Sequence, residues 1–129
     1  MTKSARFFMG ILVPAFMLAG VFASPAIAQD KAKSATPGYE LKVLLDNAKV
    51  VVTENTFKPG GESDSRLRSR YRVVRVLKGG MTERTYADGK KEKNEWKTGE
   101  VRFSEPDKAA YKAKNIGKTD IVLYVVTLK

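Results

Sequence analysis

The sequence predicts an all-β protein with one small domain. Short runs of branched and aromatic residues are each closed by turn residues, and no stretch has the period and apolar face of a long helix. The pair Asp88-Gly89 separates two such runs, Met81–Tyr86 and Lys91–Trp96. It is a strong hairpin signal, because both central positions of a type I′ turn need positive φ. We therefore expect a hairpin with a type I′ turn here.

Five further runs are predicted to be strands. They are Leu41–Leu45, Lys49–Phe57, Tyr71–Leu77, Val101–Phe103 and Ile121–Leu128. The last is dense in β-branched residues, which favours burial on one or both faces. Only Asp107–Lys114 has a helix-like composition, but it is short and lacks a closing apolar face.

Residues 1–28 have the pattern of an export signal. A basic start with Lys3 and Arg6 precedes the apolar stretch Phe7–Phe22, and a small-residue cleavage signal ends at Ala28. The alternative is a retained membrane anchor, but the stretch falls short of the ~20 apolar residues that a span needs. We expect cleavage after Ala28, no stable membrane span afterwards, and a periplasmic or secreted protein. The chain has no cysteine, which excludes a lipidated lipoprotein and disulfides.

The segment Gln29–Gly38 is predicted to be a flexible tail, and residues 39–129 to form the domain. Lys3 and Arg6 are the charged residues of the leader, so cleavage lowers the formal charge of +10 by two, to +8. A basic exported protein can meet nucleic acid, anionic lipid, acidic polysaccharide or a small anion. No nucleic-acid partner is expected, because the aromatic residues do not interleave with the basic ones as a stacking platform requires.

Two spaced sets of residues carry a family resemblance. The frame from Gly60 to Gly79 places Arg66, Arg68 and Arg72 at fixed intervals between its glycines. It resembles the first cupin motif, in which a His-x-His pair and a glutamate stand between two glycines. The spacing is that of the motif, and each of its three ligand positions is an arginine.

The second set follows in order. Gly99, Pro106, Tyr111 and Asn115 resemble the second cupin motif, with Tyr111 at the position of its histidine. The sequence departs from the motif by one extra residue after Gly99 and by Lys108 in place of a glycine. The resemblance covers roughly residues 44–129 and implies a single cupin-type double-stranded β-helix, a jelly-roll barrel.

The substituted ligand positions argue against the metal chemistry of the family. Arginine stays protonated, offers donors and no acceptor, and repels a cation. The chain has no histidine or cysteine, so no shift of register restores those ligands. Carboxylates alone, from Glu62, Asp64 and Glu105, are the remaining alternative for a hard cation. We expect no metal and no cofactor.

Strand alternation places residues 66, 68, 72, 74 and 76 on one face, which in cupins looks into the barrel. The candidate ligand-binding residues are therefore Arg66, Arg68 and Arg72, with Arg70 nearby, and Tyr111 as a further donor. Such a cluster suits a small organic anion or an acidic sugar. In the alternative, these arginines form ordinary ion pairs with Glu62, Asp64 or Glu105, or point to water from a polar loop over residues 63–69.

Three functional hypotheses stay open on these residues. The first is a non-catalytic, metal-free binding module for a small anion. The second is a metal-independent cupin enzyme of isomerase or lyase type, with Tyr111 as its acid and no convincing base. The third is a structural or interaction protein, and the resemblance allows a homodimer through an edge strand. Trp96 and Tyr71 are expected to fill the core or a dimer surface, and Arg75 and Arg102 to point outward.

Overall fold

The computed structural model describes residues 33–129, and the predicted signal peptide lies outside them. The described part of the chain contains nine β-strands and no helix. They are β1 Lys33–Thr36, β2 Tyr39–Asp46, β3 Val50–Phe57, β4 Arg72–Lys78, β5 Gly80–Tyr86, β6 Lys91–Trp96, β7 Val101–Ser104, β8 Tyr111–Asn115 and β9 Ile121–Leu128. The all-β prediction is confirmed.

The strands form two antiparallel sheets. The larger sheet has the order β1-β2-β3-β9-β4-β7, and the smaller has the order β6-β5-β8. The last strand of the chain therefore lies between β3 and β4 in the larger sheet. The β-branched run predicted to be buried is this central strand, in which every second residue, Ile121, Leu123 and Val125, has a buried side chain.

Two strands were not predicted. β1 lies within the segment predicted to be a tail and pairs with β2, so regular structure begins before Tyr39. β8 begins within the stretch Asp107–Lys114, ends one residue beyond it, and pairs with β5. In β8, Tyr111, Ala113 and Asn115 are buried and alternate with exposed lysines, which is the period of a strand. The alanines gave this segment a helix-like composition, but pairing with a neighbouring strand decides its conformation. Residue propensity alone does not indicate such pairing.

The β5–β6 hairpin forms as predicted, with a different turn. Gly89 has φ of 87°, but no other residue of the turn has positive φ, so the type I′ prediction is wrong. The Gly89 amide donates to the Tyr86 carbonyl at 3.0 Å, and the Tyr86 amide donates to the Lys90 carbonyl at 2.9 Å. This is a three-residue loop in which a tight turn is followed by a left-handed glycine. Asp88 keeps its ordinary conformation and caps the loop by accepting from the Lys90 amide.

The core lies between the two sheets. It is built from alternate residues of β3, β4, β6, β8 and β9, together with Tyr39 at the start of β2. Along β4, Val74 and Val76 are buried, whereas Arg75 between them is exposed as predicted. The inner faces of the sheets therefore enclose both the core and the space that leads into it.

No helix among residues 33–129 has the length and apolarity needed to cross a membrane.

Candidate functional site

A cavity of about 540 Å³ opens between the two sheets. Its basic lining residues are Arg66, Arg68, Arg70, Arg72, Arg84 and Lys129. Its apolar and aromatic lining residues include Leu41, Val43, Val51, Phe57, Val74, Trp96, Tyr111, Leu123 and Val125. The volume suits a small organic ligand, and the lining combines an apolar wall with converging cations.

Along β4, the side chains that face inward change from charged to apolar. Arg72 lies beside Thr127 of β9, Val74 lies beside Val125, and Val76 beside Leu123. Alternate residues of a strand share a face, so Arg72 and Val74 line the cavity while Val76, on the same face, is buried in the core. The guanidinium of Arg72 thus stands at one end of an apolar surface.

The segment before β4 is held against β8. The Ser63 amide donates to the Ala113 carbonyl at 2.8 Å, and the Ser63 hydroxyl accepts from the Ala113 amide at 3.0 Å. Further along, Arg66 and Tyr111 form an antiparallel bridge. This pairing turns Arg66 and Arg68 toward the cavity and leaves Leu67 exposed. The alternative in which both arginines point to water from a polar loop is therefore wrong.

Arg66 is only partly satisfied by the protein. Its Nη2 donates to the Tyr39 hydroxyl at 2.9 Å, and burial raises the pKa of that hydroxyl despite the nearby positive charge. The Arg66 Nε is buried and has no hydrogen-bond partner among residues 33–129. A buried N–H without a partner is costly, so this atom is a candidate contact for a ligand.

Arg68 places a buried positive charge in the cavity. Its guanidinium lies 4.2 Å from the centre of the Tyr111 ring, and its Nη1 donates to the carbonyls of Arg66 and Tyr111 at 3.2 and 3.3 Å. Burial lowers the pKa of Arg68, and repulsion from Arg66 and Arg72 lowers it further, against an opposing effect of Tyr111. No carboxylate in the described range forms an ion pair with this guanidinium.

Arg72 has a carboxylate partner that the sequence did not indicate. Its Nη2 lies 2.8 Å from Asp107 Oδ2, with both side chains largely covered. The Asp107 amide also donates to the Arg68 carbonyl at 2.8 Å, which ties the two loops together. The Arg72 Nε is buried and has no hydrogen-bond partner within residues 33–129.

The predicted partners of these arginines are corrected. Glu62 lies 3.9 Å from Lys112, not from an arginine. Neither Asp64 nor Glu105 forms an ion pair with Arg66, Arg68 or Arg72 in the described part of the chain. The partner of Arg72 is instead Asp107, which follows Pro106 in the loop that precedes β8.

Tyr111 occupies the centre of the basic cluster. It is 3% exposed, and the guanidiniums of Arg68 and Arg84 lie 4.2 and 4.5 Å from its ring centre. A cation over an aromatic ring is favourable, so the ring stabilises both guanidiniums at this position. Sequence reasoning missed Arg84. The alternation of Thr82 and Arg84 in the predicted strand was the available signal, since Thr82 also faces inward.

The outward prediction for Arg102 is wrong. On β7 the apolar residues Val101 and Phe103 point outward and are 60% and 59% exposed, while Arg102 between them is partly buried. Its guanidinium lies 4.2 Å from the Trp96 ring centre and 3.0 Å from a Glu100 oxygen. The cation–π contact and the ion pair together hold the charged side chain inward.

Trp96 is buried in the core, as expected, and also lines the cavity. Its Nε1 donates to the Thr82 hydroxyl at 3.1 Å. Tyr71, which was predicted to fill the core or a dimer surface, is exposed and stacks on Phe103 with ring centres 5.7 Å apart.

The residues at the four motif positions do not fit a metal ion. Three are guanidiniums, which can only donate hydrogen bonds, and the fourth is a phenol whose ring is in contact with two of the cavity's cations. Residues 33–129 contain no group of three or more histidine, cysteine, aspartate or glutamate side chains placed to hold a metal. The donor set suits an anion.

Replacing Arg68 with methionine should raise the free energy of unfolding by about 1–2 kcal/mol, because an apolar side chain of similar length removes a buried charge that has no carboxylate partner. The lowered pKa means that the unfolded chain binds this proton more tightly than the folded one. The cost is therefore present while Arg68 is protonated in the folded state, and it decreases as pH rises above the lowered pKa. Urea unfolding at neutral pH measures the difference.

The matched control is Arg75→Met on the exposed face of the neighbouring strand, which should change stability by less than about 0.5 kcal/mol. A destabilised Arg68→Met variant would show instead that stacking on Tyr111 and the two carbonyl contacts outweigh the cost of burial.

The fold and the site define a class of protein. Two antiparallel sheets form a barrel of the double-stranded β-helix type. The cavity between them is lined by arginines and by apolar residues. No family model matches the sequence, and no curated protein is similar enough to match it.

Solved structures supply the comparison. A cupin domain from Bordetella pertussis Tohama I is 26% identical, with 74% of this chain and 98% of that chain covered and a TM-score of 0.65. A Klebsiella pneumoniae protein with a double-stranded β-helix domain is 21% identical, with 77% and 84% covered and a TM-score of 0.57. A sugar phosphate isomerase of the cupin superfamily from Silicibacter pomeroyi is 16% identical, with 75% and 68% covered and a TM-score of 0.54.

The chain belongs to the cupin superfamily. Its structural neighbours include both enzymes and uncharacterised proteins, so the fold does not by itself decide whether this member is a catalyst.

Proposed function

We propose that this protein is an exported, metal-free cupin module that binds a small anionic ligand in its arginine-lined cavity. The observation that carries the proposal is that the three motif arginines have buried donors or charge that the described residues leave unpaired. Among residues 33–129, Arg66 and Arg72 each keep a buried Nε without a hydrogen-bond partner, and the buried Arg68 has no carboxylate partner. A carboxylate, phosphate or sulfate group would satisfy these donors and offset their mutual repulsion.

The rest of the cavity supports an organic anion or an acidic sugar over a bare inorganic ion. Val74, Leu123 and Val125 form an apolar wall that a carbon skeleton can cover. Tyr111 presents its ring to two guanidiniums, which fixes their planes before a ligand arrives. Donors held in place in advance lose less side-chain entropy on binding.

The arrangement supports binding more strongly than catalysis. Tyr111 is the acid that a metal-independent isomerase or lyase would use, and such an enzyme also needs a base. Asp46 lines the cavity and forms an ion pair with Lys129, and Asp107 forms an ion pair with the cavity residue Arg72. Both carboxylates are occupied by ion pairs, so neither is free to serve as that base.

Export to the periplasm or the medium, and pairing of two copies through an edge strand, stay predictions of the sequence. For the second, Val101 and Phe103 of β7 are exposed at one edge of the larger sheet, and the exposed Tyr71 stacks on Phe103.

The anion site predicts a ligand-dependent gain in thermal stability. Phosphate, sulfate, citrate or a uronate at about ten times its Kd should add about 1.4 kcal/mol to the free energy of unfolding. For a domain of this size that gain corresponds to roughly 5–10 °C in Tm. Differential scanning fluorimetry of the purified protein at constant ionic strength measures the shift.

The gain should vanish in the Arg66→Ala, Arg68→Ala double variant. The matched control is the Arg75→Ala, Lys78→Ala double variant, which removes the same amount of charge from exposed positions of β4. Equal gains in the wild-type protein and in both double variants would show that the anions act on general charge, and the site would be rejected.

A further inference from the structure

Asn94 lies in the lining of the same cavity, on β6. Its Oδ1 accepts a hydrogen bond from Arg102 Nη1 at 2.8 Å. Its Nδ2 is buried and has no hydrogen-bond partner in residues 33–129. The amide therefore presents unused N–H donors that no cupin motif position accounts for.

The orientation of this amide is fixed by its neighbours. Arg102 has only donors, so the Asn94 atom that it contacts is the oxygen, and the nitrogen must be the free atom. Arg102 is itself held by Glu100 at 3.0 Å and by the face of Trp96 at 4.2 Å. Rotating the amide by half a turn would place two donors against each other.

Strand register separates Asn94 from the basic cluster. Asn94 stands opposite Thr82, and Thr82 stands opposite Asn115 on β8. Tyr111, on which Arg68 packs, lies four residues before Asn115 on the same strand, a distance of about 13 Å along the sheet. Ala113 lies between them and also lines the cavity. Arg84 stands opposite Ala113, but its guanidinium lies 4.5 Å from the centre of the Tyr111 ring and so belongs to the basic cluster. The cavity thus has polar groups at two levels.

We propose that Asn94 is a second ligand-binding residue, and that the ligand is an elongated amphipathic acid. This inference rests on the proposed anion site. The anionic head binds Arg66, Arg68 and Arg72, a hydrocarbon body covers the apolar wall, and an oxygen acceptor beyond that body receives the Asn94 Nδ2–H. A compact anion such as phosphate cannot reach both levels. The buried donor of Asn94 then selects for a carbonyl, ether or second carboxylate oxygen, because leaving it unpaired carries a cost.

The test compares two acids of matched shape, octanoate and 7-oxooctanoate, which differ by a ketone oxygen near the far end of the chain. Trp96 is the single tryptophan of the chain and lines the cavity two residues from Asn94, so its fluorescence reports binding at this level. We expect the wild-type protein to bind 7-oxooctanoate about fivefold more tightly than octanoate, the effect of one net hydrogen bond.

The Asn94→Asp variant should lose this preference. It keeps an oxygen for Arg102 and replaces the free N–H donors with an acceptor, so the Kd ratio of the two acids should fall to about one or below. The added charge weakens both acids alike, and for that reason the ratio is the readout. Asn94→Ser provides a second variant with the same expected ratio, and each variant is first checked for a cooperative urea transition.

The outcomes separate this inference from the proposed function. If both acids bind the wild-type protein equally, or if phosphate stabilises the protein but neither acid binds, the Asn94 contact is overturned and the anion site stands. A preference that persists in both Asn94 variants also overturns it. If neither acid binds and phosphate has no effect, the anion site and the inference that rests on it are both overturned.

Discussion

The Asn115→Ala variant is expected to lose about 3–5 kcal/mol of unfolding free energy. Asn115 is fully buried, and its Nδ2 donates to the carbonyls of Phe57 at 3.0 Å and Thr119 at 2.8 Å. Its Oδ1 accepts from the Gly117 amide at 2.9 Å. Alanine removes all three bonds: the one to the Phe57 carbonyl is buried, and a buried group that loses its partner costs about 1–3 kcal/mol, while the other two are partly buried.

The backbone hydrogen bonds of Asn115 explain why the loss of stability should extend beyond β8. The Asn115 amide donates to the Gly61 carbonyl, and the Asn115 carbonyl accepts from the Gly60 amide, both at 2.9 Å. These bonds join β8 to the turn where the first motif begins. A weakened β8 therefore loosens the segment that presents Arg66 and Arg68 to the cavity.

Urea unfolding followed by Trp96 fluorescence measures this loss. Asn47→Ala is the matched control, because the Asn47 side chain also accepts two backbone bonds, from Lys49 and Val50, but at the surface. Water replaces those bonds, so the control should cost at most about 1 kcal/mol. Similar losses in the two variants would show that Asn115 contributes only as a turn residue.

The second large effect is expected for Gly79→Ala, with a loss of about 3 kcal/mol or more. A Cβ atom at Gly79 would lie 2.2 Å from the Trp96 carbonyl oxygen and 2.7 Å from the Thr98 amide nitrogen. Both are backbone atoms of the turn between β6 and β7, so neither can rotate away. The Gly79 amide also donates to the Thr98 hydroxyl at 2.9 Å, which fixes the close approach.

Gly89→Ala separates crowding from backbone conformation. A Cβ at Gly89 would meet no atom within 4 Å, but the residue has positive φ. Strain alone should then cost about 1–2 kcal/mol. If Gly79→Ala costs no more than Gly89→Ala in urea unfolding, the turn between β6 and β7 moves more freely than its contacts indicate.

The strands were the most predictable part of this protein. Seven of the nine strands in residues 33–129 coincide with runs of branched and aromatic residues between turn residues. The two that were missed, β1 and β8, are poor in such residues and exist because a neighbour pairs with them. The turn at Gly89 was placed correctly but given the wrong type, since loop length selects the turn and the sequence left that length open.

The candidate site was predictable in its residues but not in its contacts. Arg66, Arg68, Arg72 and Tyr111 all line the cavity, as the motif spacing indicated. Their partners could not be read from spacing. Asp107, Arg84 and Asn94 reach the site from other strands and loops, and which of them face inward depends on the packing of two sheets.

The sequence by itself determined the chemistry that is available: three guanidiniums and a phenol at the four motif positions, no histidine or cysteine, and glycines where two backbones must approach. Residue identity decides which groups can donate, accept or hold a metal, and no folding changes that. The tertiary structure alone decided how those groups are used. The pairing of residues 61–66 with β8 turns Arg66 and Arg68 inward. On β7 it is Arg102 that faces inward, which places its guanidinium against Trp96 and Asn94. These placements follow from hydrogen bonds between residues far apart in the chain, which a local pattern does not contain.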